Sequence, residues 1–356
     1  MSLRDLAPKN TTKAKATAVN VFKRFLATED VSLDYIHGCL SADTSGRLIE
    51  GIMDKFGLYL AFDAGKAGTP LARNTVAGYF RHVKLWLLDE HPQCRHLVEK
   101  KLVSMANTLE KHCMKREAGS YIKKAEACTK QHLKAMTMYL YSTASKAEDY
   151  QDLALLSLMW YLFGRASDLS MLRKPNLALS NDTSLFIKLI RVKTSEEQGL
   201  TIFPDADFTT CPITALAAAL ATQTVPAFAL LSQLPAIAPT TIAELGPGTS
   251  LRDIIEADGH ITTSVSRDGP QTKGNSPGIH NYVNRLLDRI ATPAGVKVLL
   301  SSHSFRRGGA QHANGSADLS PQWIFDRGAW NMTSTNKAFA YVFNTTSEDQ
   351  KYTHYN

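Results

Sequence analysis

The apolar positions divide the chain into a helical first third and a mixed remainder. In TVAGYFRHVKLWLLDEH, Val76, Tyr79, Phe80, Val83 and Leu87 recur at the spacing of one helix face, while Arg81, His82 and Lys84 project elsewhere. TKAKATAVNVFKRFLAT and SGRLIEGIMDKFGLYLAFD repeat that pattern. The first ~120 residues therefore predict short amphipathic helices with basic outer faces, packed as a small bundle without a strand.

A polar, basic run follows, EKHCMKREAGSYIKKAEACTKQHLKAM, and an interdomain linker is expected near Met114–Ala125. DLALLSLMWYLFGRASDLSMLR then reads as a strongly apolar helix that turns at Gly164. SLFIKLIRVK and LTIFP are β-rich runs separated by TSEEQG, a hairpin signature. Residues 228–276, rich in Pro, Thr, Gly and Ser, predict a long and partly mobile insertion. PGIHNYVNRLLDRIA returns to helix, with Ile279, Val283, Leu286 and Ile290 on one face. Another helix is expected from about Ser302 to Asn314-Gly315, and a last one from the Ser320-Pro321 cap to Gly328.

Composition narrows the class. At 356 residues, 44% apolar and 21% charged, the chain has the length of two globular domains and neither disordered nor fibrous character. A net charge of +7 favours polyanionic partners. Five cysteines (Cys39, Cys94, Cys113, Cys128, Cys211) form no C-x-x-C pair, which argues against a disulfide framework or a zinc site and for a reducing compartment. No signal peptide is legible. ITALAAALATQTVPAFALLSQLPAIAP is broken by Gln, Thr and two prolines, so no membrane partner is expected.

Several charged groups occupy places that local structure does not require. Arg165 follows LMWYLFG, and Asp168 lies three residues on, expected on the same helical face. Lys193 ends a β-run before a turn, and His303 and Arg306 lie one helical turn apart. Singly, these are an ordinary ion pair, a solvated lysine and a helix-start histidine. Their order changes the reading.

FGRASDLSML, RVKTS in a hairpin, HSFRRGG, GAW and then a Tyr-bearing helix resemble the tyrosine recombinase family, with the Trp330 variant of its Cre-like members. YIKKAEACTKQHLKAM is similar to the start of that family's catalytic domain. The resemblance spans nearly the whole chain, and its finer affinity is to Crypton-type eukaryotic transposon recombinases. It implies a mainly α protein: an N-terminal helical core-binding (SAM-like) domain over 1–118, and a mixed α/β catalytic domain over 119–356 carrying a small β-hairpin sheet.

The resemblance also implies a chemistry. A tyrosine hydroxyl attacks a DNA phosphodiester, giving a 3′-phosphotyrosine and a free 5′-hydroxyl, and reversal with another 5′-hydroxyl joins new strands. The covalent intermediate preserves the bond energy, so neither cofactor nor metal is required. Arg165 and Arg306 would fork onto the non-bridging oxygens, where negative charge concentrates in the transition state. Lys193 would protonate the leaving 5′-oxygen, and His303 would serve in acid–base work on the nucleophile. Trp330 would donate its indole N–H to the phosphate, and Asp168 would orient neighbouring Arg or His side chains. Arg73, Arg81, Lys84, Lys123, Lys124 and Arg307 are candidate DNA-phosphate contacts.

The nucleophile is read as Tyr341 in MTSTNKAFAYVFN, two residues farther from Trp330 than is usual in the family. Phe339 holds the more usual position. Tyr352 and Tyr355 are alternatives, and a chain with no nucleophile would not cleave. Double-stranded DNA is the expected partner, bound by a chain largely monomeric when free, as a dimer per site and a tetramer on paired sites. The expected location is the nucleus of a eukaryotic host, or otherwise the cytoplasm with the chromosome. Other classes stay open: a non-cleaving domesticated DNA-binding protein, a type IB topoisomerase, and a helical scaffold for acidic proteins.

Overall fold

The computed structural model describes residues 9–63, 65, 68–116, 125–180, 183–191, 196–223, 229–235, 278–316 and 318–330. They form two compact units, one of helices up to Arg116 and one built from Lys130 onward.

The first unit contains α1 (Lys9–Thr28), α2 (Leu33–Ala42), α3 (Arg47–Phe62), α4 (Arg73–Glu90) and α5 (Arg95–Arg116). The helical spacing read in α4 is realised, with Val76, Phe80, Val83 and Leu87 fully buried or nearly so. Phe22 of α1 meets Phe56 of α3 edge-to-face at 5.1 Å, and Trp86 at 6.1 Å. α2 is capped by Ser32, whose hydroxyl accepts from the Tyr35 amide.

The second unit is mainly helical with one small sheet. Its helices are α6 (Lys130–Thr143), α7 (Ala147–Tyr161), α8 (Ala166–Leu169), α9 (Pro212–Ala221), α10 (Ile279–Ile290), α11 (Ser302–Asn314) and α12 (Pro321–Arg327). β1 (Leu177–Leu179), β2 (Leu185–Arg191) and β3 (Glu196–Ile202) form an antiparallel sheet in the order β1-β2-β3. Every residue from Gln151 to Trp160 is buried because α6, α9 and α11 surround α7, and from Leu153 onward the helix is apolar on all faces except at Ser157. Arg289 of α10 donates to Asp149 at 2.9 Å and Asp152 at 2.8 Å, fastening α10 to the start of α7.

Three expectations need correction. The hairpin turn is shorter than TSEEQG: β3 starts at Glu196, which pairs with Arg191, because the ladder continues through Gly199 under the Phe186 ring. β1, a third strand, escaped the pattern because only three residues pair. The start of the expected insertion is also core: Leu230, Leu231 and Leu234 are buried, and the Leu230 amide donates to the Leu172 carbonyl at 3.0 Å. The remainder of that insertion, 236–276, lies outside the described residues, as do 117–124 of the expected linker.

Candidate active site

The site grows from two helix ends in the second unit. α7 stops after Tyr161: Gly164 N–H donates to the Met159 carbonyl and Phe163 N–H to the Trp160 carbonyl. α12 stops in the same way, with Trp330 N–H on the Phe325 carbonyl and Ala329 N–H on the Asp326 carbonyl. Both are Schellman turns, which need a left-handed residue just beyond the helix, usually glycine. Here Phe163 (φ 45°) and Ala329 (φ 46°) take that place. A left-handed non-glycine residue costs roughly 1–2 kcal/mol, so both ends hold strained backbone. Gly328 ends α12 as expected, as its C-cap, and it also leaves room for the indole: a Cβ there would meet the Trp330 ring at 2.1 Å.

Each helix end exposes carbonyls with no intrahelical donor. Two arginines bridge them in parallel. Arg306 of α11 donates from Nη1 to the Phe163 carbonyl at 2.5 Å and from Nη2 to the Gly328 carbonyl. Arg191, the last residue of β2, donates from Nη2 to the Leu162 carbonyl at 3.3 Å and to the Arg327 carbonyl at 2.8 Å. Arg327 donates from Nε to the Tyr161 carbonyl at 3.0 Å. Helix C-termini carry partial negative charge, so guanidiniums there are favourably placed. Burial and the nearby Arg191 charge pull the Arg327 guanidinium down to about 10.

Arg306 is 2% exposed, and its guanidinium lies 4.4 Å from the centre of the Trp330 ring. Trp330 in turn stacks on Phe163 at 6.2 Å. The structure thus brings Arg306, Trp330 and the turn leading into Arg165 together. α11 reaches this position because of its Gly308-Gly309 pair. A Cβ on Gly308 would fall 1.8 Å from the Cys128 carbonyl oxygen, and one on Gly309 2.2 Å from that of Trp160.

Arg165 does not share a helix face with Asp168, as the spacing predicts. It has extended backbone (φ −81°, ψ 142°) and sits just ahead of α8, because the Schellman turn has ended α7 at Tyr161. Its Nη1 still lies 3.5 Å from Asp168 Oδ2, and its side chain is 15% exposed. Asp168 is buried and has a nearer partner, Arg191 Nη1 at 3.2 Å. Arg191 itself is fully buried, with Nε donating to Gln198 Oε1 at 2.6 Å. Its burial draws the guanidinium below its ordinary range, and Asp168 opposes that shift.

His303 is solvent-exposed in the first turn of α11, whose cap Ser301 accepts from the His303 amide. Its ring stacks on His280 of α10 at 6.0 Å and 20°, and His280 Nδ1 lies 3.0 Å from Ser302 Oγ. Arg307 is neither a bare surface charge nor turned to solvent. It is half-buried and donates to the Ala125 carbonyl at 3.1 Å, tying α11 to the segment before α6. In the first unit Arg81 is exposed and Lys84 half-buried. Arg73 is mostly buried, 3.9 Å from Glu110 of α5, so its charge faces a carboxylate. Lys123, Lys124, Lys193, Tyr341, Tyr352 and Tyr355 lie outside the described residues. Among the described residues no group of three or more His, Cys, Asp and Glu side chains is placed to hold a metal ion.

Arg191 and Arg327 were missed by the motif reading. The signal for Arg191 was present: Leu185, Ile187, Leu189 and Arg191 alternate on the buried face of β2, so the strand's own period points a guanidinium inward.

No family model matches this chain, and no curated protein matches it. Among solved structures, similar chains are tyrosine recombinases. One is XerA recombinase, 12% identical over 99% of this chain and 94% of that chain, with a TM-score of 0.40. A second is a lambda integrase dimer bound to a COC′ core site, 10% identical over 93% and 77%, with a TM-score of 0.42. A third is XerH site-specific recombinase bound to palindromic difH substrate in a post-cleavage complex, 12% identical over 86% and 83%, with a TM-score of 0.42.

Proposed function

We propose that the chain is a site-specific DNA recombinase that breaks and rejoins strands through a 3′-phosphotyrosine intermediate. The observation that carries this reading is the convergence of Arg165, Arg306 and Trp330 on two stapled helix ends. A phosphoryl transition state needs planar, immobile donors at its non-bridging oxygens. Arg306 is immobilised by two carbonyls and an indole, and Arg165 stands at the end of the same turn, partly open to solvent. His303, exposed one helical turn before Arg306, is available for proton transfer. In this reading Lys193 protonates the leaving 5′-oxygen and Tyr341 is the nucleophile. The substrate is double-stranded DNA, gripped by the basic helical first unit, with a dimer on each site and a tetramer on paired sites. The proposal extends to a Crypton-type origin and to action in the nucleus.

A second reading is a DNA-binding protein that no longer cleaves. What favours it is the near-complete burial of Arg306 against carbonyls, which makes that residue part of the scaffold. One experiment separates the two. Incubation with a target site nicked beside the cleavage point should trap a covalent protein–DNA adduct, lost in Tyr341→Phe while DNA binding is kept. Adducts that persist in that variant at Tyr352 or Tyr355 move the nucleophile; binding without adducts in wild type selects the second reading.

A further inference from the structure

We propose that Arg191 is a positioning residue whose buried charge takes Asp168 out of competition for Arg165, leaving Arg165 its positive charge for a phosphate. The inference rests on reading Arg165 as a phosphate ligand, and it assigns a role to a residue outside the motif set. Asp168 Oδ2 is shared, 3.2 Å from Arg191 Nη1 and 3.5 Å from Arg165 Nη1. A buried carboxylate with Arg165 as its sole cation would draw that guanidinium into a closed, neutral pair. With Arg191 present, the three groups carry one net positive charge, and Arg165 is the member that reaches solvent. Arg191 is held by Gln198 and by the Leu162 and Arg327 carbonyls, so it cannot swing out to become the ligand itself. Glu196, across the ladder from Arg191, is exposed on the strand, where solvent screens it.

The test is a charge-balance cycle read by inorganic phosphate, using the thermal midpoint of the full chain, with trapped adducts as a second readout. Arg165→Met should abolish the phosphate response. Arg191→Met should raise the phosphate concentration for half-effect at least about tenfold, the size of one nearby charge at an intermediate effective dielectric. The double variant Arg191→Met, Asp168→Asn removes both buried charges and should recover most of that loss, although it is the more heavily altered protein. Arg191→Lys keeps the charge while losing the planar donors, so it should hold the phosphate response near that of wild type, and this variant decides the matter if Arg191→Met does not fold. A purely architectural Arg191 predicts otherwise, with the double variant no better than Arg191→Met and Arg191→Lys losing the response; that result overturns the proposal. A phosphate response in the proposed order from a protein that never forms adducts would keep the charge assignment and remove the recombinase reading.

Discussion

Replacing Arg306 by Met isolates what its guanidinium does, because the stem still fills its place while the donors vanish. The Phe163 and Gly328 carbonyls, both in buried residues, lose a charge-assisted donor each. Hydrogen bonds to charged groups contribute roughly 1.5–3 kcal/mol apiece, and the contact with Trp330 roughly 0.5–2 kcal/mol. Releasing a buried charge offsets part of this, leaving a net loss of about 3–5 kcal/mol. Arg165→Met is the control: it removes a single 3.5 Å contact to an Asp168 that keeps its nearer partner Arg191, so it should cost about 1–2 kcal/mol. Urea unfolding followed by tryptophan fluorescence suits the comparison, since Trp160, Trp323 and Trp330 all lie in the second unit. At an ordinary slope, Arg306→Met should lower the midpoint by roughly 2 M. Equal midpoints for the two variants would refute the staple. Loss of cleavage in an Arg306 variant therefore counts as chemistry only after its stability is measured.

Further outcomes follow from the same geometry. Gly308→Ala gains roughly 1 kcal/mol of helix propensity, yet its Cβ meets a backbone oxygen that cannot rotate away. It also threatens the Cys128 amide–Ser304 carbonyl bond, so a net loss of about 2–3 kcal/mol should appear in the same urea experiment. Ala329→Gly relieves the left-handed strain and should stabilise by about 0.5–1 kcal/mol, seen as a raised midpoint. In the first unit, His91 is buried against His37 at 2.8 Å, and burial first, then the His37 charge, lowers its pKa from the ordinary 6.5. The unfolded chain then binds the proton first as pH falls, so the stabilisation is complete above pH 6.5 and is lost progressively below it. Thermal midpoints measured between pH 5 and 8, with His91→Phe as reference, should show that slope flattened in the variant.

The helices were legible because their signals are local. Period-3.6 apolar faces placed α4 and α10, Ser320 is the cap expected before Pro321, and the strongly apolar run of α7 marked a helix. The motif order located Arg165, His303, Arg306 and Trp330 in one unit. What the pattern could not show was pairing across the chain. Arg191 reaches Asp168 over 23 residues and the Arg327 carbonyl over 136, and nothing local to any of the three announces the others. The left-handed residues were hidden for a related reason. Glycines at 164 and 328 marked where the helices end, but Phe163 and Ala329 adopt the left-handed conformation because arginine donors and the Phe163–Trp330 stack hold them there.

On the recombinase reading, that arrangement reconciles scaffold and chemistry at Arg306. A catalytic arginine must not spend binding energy on becoming ordered when the transition state forms; it has to be fixed beforehand. Arginine has five N–H donors in a rigid plane, so two carbonyl bonds lock its orientation without exhausting its donors. A lysine at the same point would lose the second anchor, and an arginine on the surface would have neither. The carbonyls that lock it belong to the residues just before Gly164-Arg165 and Ala329-Trp330. The bonds that bury Arg306 therefore also set the exit direction of Arg165 and Trp330. Movement of either helix end displaces all three groups together, so on the recombinase reading the strained turns and the reacting groups form one mechanical unit.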